Sequence, residues 1–407
     1  MTSKPHGPIP PEFAGQSSLT VGGEAVRALA AAGTPFYAYD FGIVAARIAR
    51  LRAALPAGVA LHYAIKANPH PLLLAAMAPR VDGLDVASAG ELDRALAVKP
   101  AAAISFAGPG KRDAELQAAI ACGATINLES ESEAERALSI AERVGRAPRL
   151  AVRVNPDFEL KGSGMKMGGR ASPFGVDTAF VPGLVRRLLA AGAAWQGFHI
   201  YAGSQSLDTQ AVIDTQAATI ALAERLADAA GSVPPLVNLG GGFGIPYFPG
   251  DTAIDIEAIG AALGAACAPL TGWHFAIELG RWLVGEAGVY VARVVDRKWS
   301  QGERFLVVDG GLNHHLAATG NFGTVVRRNY PVAIAERMGD APEETVSIVG
   351  PLCTPLDRLA DRVAMPRAEV GDLVVLFASG AYGATASPSM FLGHPPVREV
   401  VLGLPTD

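Results

Sequence analysis

Three cysteines are all that 407 residues contain. Cys122, Cys267 and Cys353 lie far apart and are odd in number. That argues against a disulfide frame and points to a reducing, cytoplasmic setting. No apolar run reaches the roughly 18 residues that a membrane-spanning helix needs. The first thirteen residues hold four prolines and no apolar stretch of the secretory kind. Lysine and arginine form no long run and the net charge is −5. Neither nucleic acid nor an anionic membrane surface is therefore expected as a partner. Half of the residues are hydrophobic. At this length a large core split between two domains is expected.

Short apolar runs alternate with Ala- and Leu-rich helical stretches. Eight runs read as strands: Leu61–Lys66, Gly83–Ser88, Ile104–Ala107, Thr125–Glu129, Leu150–Asn155, Gly197–Tyr201, Leu236–Leu239 and Phe275–Glu278. Helical patterns such as Glu131–Val144 and Ala211–Ala230 lie between them. Strand–helix alternation of this kind predicts a parallel sheet, and eight units predict a closed (β/α)8 barrel over residues 41–281. An open doubly wound sheet is the competitor, but no Gly-rich turn follows the first strand. Residues 282–407 read as strands with little helix, which predicts a mainly-β domain that also takes in residues 1–40, with strands at Leu19–Val21 and Phe36–Tyr39. The glycine-rich segment Pro156–Gly175 follows the fifth strand and is expected to overhang the mouth as a lid.

Barrel chemistry sits at the C-terminal ends of the strands. Lys66 ends the first strand, and a desolvated lysine there can attack a carbonyl. Gly240, Gly241 and Gly242 follow the seventh strand, where converging backbone N–H groups bind anions; a tight turn packed on a neighbour is the plainer alternative. Ser204 offers a hydroxyl nearby or a helix N-cap. Glu278-Leu279-Gly280-Arg281 closes the eighth strand. Its carboxylate suits a protonated ring nitrogen and its guanidinium suits phosphate or a substrate carboxylate, unless the two simply pair. An amine, an anion cradle and a ring-facing acid together fit pyridoxal phosphate. A carboxylate that keeps the ring protonated makes it a strong electron sink, which favours decarboxylation over racemisation.

Cys353, between two prolines, is either a proton donor or a small buried residue. Tyr382, beside glycines, either reaches a phosphate or caps a core. Adjacent His314 and His315 are poorly spaced for one metal, and no metal is assigned.

Several ordered stretches resemble the fold type III pyridoxal-phosphate decarboxylases, the group of diaminopimelate and ornithine decarboxylases. They include Tyr63–Asn68, Asp85–Glu91, Gly197–Gln205, Gly240–Gly244, Glu278–Arg281, Gly350–Cys353 and Gly380–Tyr382. The resemblance runs from about Thr34 to the C-terminus. It implies a barrel plus a β domain containing the N-terminal strands. It also implies a head-to-tail homodimer with two shared active sites, in which Cys353 and Asp357 enter the partner's barrel. By resemblance Lys66 is the Schiff-base lysine, Cys353 the proton donor, and Gly240–Gly242, Ser204, Arg281 and Tyr382 the phosphate shell. Asp85 and Arg153 support the ring and the lysine, and His199 is an expected cofactor contact. Arg281, Cys353, Thr354, Asp357 and Tyr382 are the expected substrate contacts.

Departures bear on the substrate. Tyr201 stands where the family has a ring-stacking histidine, and Thr354 stands where diaminopimelate decarboxylases carry a glutamate for the distal amine. After Asp309-Gly310-Gly311 the chain reads Leu312-Asn313-His314-His315-Leu316, then Asn321-Phe322-Gly323. It shows no equivalent of the Arg and Tyr that hold a distal carboxylate in those enzymes. The pattern resembles the subgroup of exopolysaccharide (exosortase-linked) and natural-product clusters. The expected activity is decarboxylation of an amino acid other than diaminopimelate, with a carrier-protein-tethered aminoacyl group as the alternative. Racemase and cofactor-binding regulatory protein are the weaker readings.

Overall fold

The computed structural model describes residues 2–160, 162, 164–166, 168–320 and 328–405. Two compact units divide the chain. One comprises Ile48–Gly244 and Ile254–Gly280; the other comprises Met1–Arg47, Ile245–Ala253 and Arg281–Asp407.

The first unit is a closed parallel barrel. Its strands are β1 (Val59–Ala64), β2 (Gly83–Val86), β3 (Ile104–Phe106), β4 (Thr125–Leu128), β5 (Arg149–Asn155), β6 (Ala194–Ile200), β7 (Val237–Asn238) and β8 (Phe275–Leu279). Neighbours pair in this order, β4 pairs with β5, and β8 pairs back onto β1. All eight expected strands are present, with ends that differ by up to three residues. Crossover helices start at side-chain caps: Ser88, Ser130, Asp208 and Asp255 each accept an N–H three residues on. Gly145 and Gly231 end two of them in the left-handed conformation, at φ 69° and 68°.

The interior of this barrel is polar. Alternation along β1 puts Leu61 and Tyr63 on one face and His62 on the other. In register, His62 stands opposite Glu278 of β8 and Gly83 of β2. His199 of β6 stands between Arg153 of β5 and Asn238 of β7. Burying such groups requires that they satisfy one another.

The second unit is built on an eight-stranded sheet, a path of six strands plus two added ones. Phe36–Asp40 joins it, pairing antiparallel with Gly288–Ser300 and parallel with Arg398–Leu402. Thr20–Val21 does not join it; it forms its own small hairpin with Glu24–Ala25. Sequence reading overlooked Arg358–Met365, which pairs with Glu344–Val349. Its mixed charges and alanines carry little strand signal.

Candidate active site

Lys66 is not the last residue of a strand. β1 ends at Ala64, and Ile65–Ala67 form a 3-10 turn. Tyr63 fixes that turn by donating its hydroxyl to the Asn68 carbonyl at 2.8 Å. Ile65 and Ala67 are buried while Lys66 is exposed, so the turn delivers the amine to the mouth. Lys66 lines a cavity of about 400 Å³ together with Asp85, Lys111, Arg153, Phe174 and Glu278. Its Nζ lies 5.9 Å from the centre of the Tyr201 ring.

Glu278 is held from one side. His199 Nε2 and Glu278 Oε2 are 2.8 Å apart, and both side chains are buried. Burial pushes the Glu278 carboxyl up, but the His199 hydrogen bond and the charges of His199, Lys66 and Arg153 outweigh it. The group rests below the ordinary carboxylate range. Arg153 donates to Glu129 at 2.9 Å and lies over the Phe174 ring at 5.0 Å. Glu129 also accepts the Gly175 N–H at 3.1 Å, which ties the end of the Pro156–Gly175 segment to the strand ends. Within that segment Met165–Lys166 pair antiparallel with Gly203–Ser204. Lys161, Ser163 and Met167 lie outside the described residues, as do Asn321–Gly323.

The glycine run follows β7. It packs tightly: a Cβ on Gly241 would sit 1.9 Å from the Glu278 carbonyl oxygen, and one on Gly242 would sit 2.5 Å from that of Gly203. Gly240 has φ 69° and donates to Asn238 Oδ1 at 2.9 Å. The Gly241 and Gly242 N–H groups donate to nothing among the described residues. Ser204 is not a helix N-cap; Asp208 caps the following helix.

In the second unit Arg281 donates to the Tyr247 hydroxyl at 2.7 Å and lies over the Tyr382 ring at 4.7 Å. Burial disfavours its charge, but Tyr247, Tyr382 and Tyr330 more than restore it and raise its pKa. Tyr382 has φ 54°, a conformation a tyrosine holds only under constraint. Cys353 is exposed, so the buried-residue alternative does not hold. Thr354 accepts the Asp357 N–H through its carbonyl at 3.2 Å. Asp357 is buried and braces its loop, accepting the Leu312 N–H at 2.6 Å and the Leu352 N–H at 2.8 Å.

Sequence reading missed Lys111, which forms a buried ion pair with Glu133 at 2.8 Å. It also missed Tyr247 and the interior histidine His62. Gly108-Pro109-Gly110-Lys111 follows a strand end, the same signal used for the other loops. His62 was visible as a histidine on an apolar strand.

An exposed amine at the mouth, free amides in a cradle that a Cβ would fill, and a buried ionised acid fit pyridoxal phosphate. The sequence model described as "Pyridoxal-dependent decarboxylase, pyridoxal binding domain" matches residues 42–285. The chain belongs to that family and is a pyridoxal-phosphate-dependent carboxy-lyase. It is 38% identical over 379 residues to the L-glutamyl-[BtrI acyl-carrier protein] decarboxylase of Niallia circulans, covering 90% of this chain and 88% of that one. It is 32% identical over 383 residues to the diaminopimelate decarboxylase of Archaeoglobus fulgidus, covering 91% and 88%. The crystal structure of Helicobacter pylori diaminopimelate decarboxylase complexed with L-lysine superposes with a TM-score of 0.80 at 26% identity, covering 91% of each chain. No helix among the described residues is long and apolar enough to cross a membrane.

Proposed function

We propose that this enzyme decarboxylates an aminoacyl group whose distal carboxyl is tied to a carrier protein as a neutral thioester. The observation that carries the reading is the state of the turn after Asp309-Gly310-Gly311. From Asp309 to Val326 there is no lysine or arginine. His315 is fully buried, hydrogen-bonded to Ser379 at 2.8 Å, and burial pushes its pKa down to about 3. His314 is buried against the Pro395 carbonyl at 2.9 Å, and burial lowers its pKa too. Neither histidine supplies a cation for a free distal carboxylate at neutral pH. Thr354 supplies no anion for a distal amine. The printed activity of the Niallia circulans relative, on a carrier-bound glutamyl group, supports the same reading.

Bound pyridoxal phosphate supplies the electron sink for the pair released when the Cα–carboxylate bond breaks. Around it Lys66 provides the anchoring amine. The Gly241 and Gly242 amides and the Ser204 hydroxyl take the phosphate, and Arg281 and Tyr382 complete its shell. Glu278, on β8 with Leu279 and Gly280 beside it, would face the ring, and the His199 hydrogen bond favours its ionised form. Asp85 and Arg153 flank the amine, and Tyr201 offers the ring an aromatic face. The partner's Cys353 holds the proton that Cα takes as CO2 leaves, in a cytoplasmic homodimer with shared sites. An assay of CO2 release across free amino acids and their carrier-tethered thioesters tests the reading. Turnover of a tethered glutamyl-type group, with free acids at least about a hundredfold poorer, is expected. Efficient turnover of free diaminopimelate would overturn it.

A further inference from the structure

His62 has no part in the site as described so far, and nothing about core packing calls for it. It is a titratable residue on a strand otherwise built of Val59, Ala60, Leu61, Tyr63 and Ala64. Its ring lies over Gly83; a Cβ there would come within 2.6 Å of the ring, so the glycine makes room for it. Nδ1 stands 3.3 Å from Asp85 Oδ2, at ion-pair distance but without the alignment of a hydrogen bond. Both Asp85 oxygens are shut away from solvent, and neither accepts a hydrogen bond among the described residues. Asp85 nonetheless lines the Lys66 cavity, in register with Ala64, two residues before the lysine. A buried carboxylate with both oxygens unsatisfied needs a counter-charge and a donor. His62 is the one and the cavity can hold the other.

We propose that His62 is a positioning residue of this decarboxylase: its imidazole, seated over Gly83 and 3.3 Å from Asp85, holds that carboxylate toward the Lys66 cavity, where it takes a hydrogen from the amine. The proposal rests on the reading of Lys66 as the cofactor anchor. Several charged groups face the imidazole. Asp85 is on β2 and Glu278 is opposite on β8. Asp82, just before β2, lies across a lower cavity of about 250 Å³ and is itself paired with Arg52 at 2.6 Å. Arg149 of β5 lines the same cavity. Burial alone would push His62 down, but Asp85 above all, then Glu278 and Asp82, reverse this and raise its pKa. Asp85 thus acts on the amine through a charge set one strand away, below the mouth.

Two measurements test this. In the cofactor-free protein, NMR of 13C-labelled histidine follows His62. It should titrate above its ordinary value near 6.5, and Asp85→Asn should lower it by at least about one unit. In the holoenzyme, His62→Gln should cut kcat/KM about tenfold at acid pH and lose its deficit at alkaline pH, where His62 of the parent is neutral too. A residue with only a packing role would give the same deficit at every pH. An unchanged His62 titration in Asp85→Asn overturns the proposal, as does a pH-independent deficit in His62→Gln. The NMR arm needs no change at His62, so it stands if His62→Gln does not fold. Cofactor retained covalently in Lys66→Ala would sink the anchor reading instead, and the NMR result separates the two failures.

Discussion

His199 Nε2 lies 2.8 Å from Glu278 Oε2, and both side chains are buried. The barrel therefore holds Glu278, the acid proposed to face the ring, with an imidazole from β6, two strands away from β8. Glu278→Gln can still accept from His199 but loses its charge. It should fold with a loss of no more than about 1 kcal/mol and slow kcat by roughly a hundredfold or more. Glu278→Ala removes the partner of a buried imidazole and should cost about 3–5 kcal/mol. Thermal unfolding and steady-state kinetics on the two variants separate the roles.

The depressed pKa of Glu278 has a consequence for acid stability. Its folded value lies below its ordinary value of 4.5, so its contribution is present above that value and is lost as pH falls through the folded one. Denaturant melts of the parent should weaken more steeply below about pH 4.5 than those of Glu278→Gln. Parallel curves would show that Glu278 is not held ionised by the fold.

Steric room separates two glycines. Gly241→Ala would place a methyl 1.9 Å from the Glu278 carbonyl, so β7, β8 or the cradle must shift. A loss of about 1–3 kcal/mol and a clear weakening of cofactor binding are expected. Gly90→Ala, in the helix Ala89–Leu96 with nothing within 4 Å, should be neutral or mildly stabilising. Calorimetry and cofactor titration on both variants check this.

The proposed homodimer with shared sites is tested by mixing two variants. Lys66→Ala and Cys353→Ala should each be nearly inactive alone. Unfolded, mixed and refolded together, they should recover about a quarter of parental activity, because half of the dimers are mixed and each mixed dimer has one intact site. No recovery would place both residues in the same chain's site.

Much of this was legible in the sequence, because strands and helices alternate with clear periods. Every barrel strand announced itself as an apolar run, and the motifs within the barrel fell at or near strand ends, where barrel chemistry lies. Strand registers were not legible, and registers decide the interior. That His62 stands opposite Glu278, and His199 two strands from it, depends on barrel closure between distant segments. Local patterning carries no such information. The fate of Lys66 was misjudged by two residues because the turn at Ile65–Ala67 is set by the Tyr63–Asn68 hydrogen bond, a tertiary detail. Arg358–Met365 was lost for the opposite reason, since its own propensity is weak and its pairing with Glu344–Val349 decides it.

One measurement reaches the centre of the account. The holoenzyme is reduced with borohydride, digested, and its pyridoxyl-bearing peptide identified by mass spectrometry. The rival amine is Lys111, which lines the same cavity but is buried in an ion pair with Glu133. A single adduct on Lys66 is the predicted result. An adduct on Lys111, or on any other lysine, would contradict it.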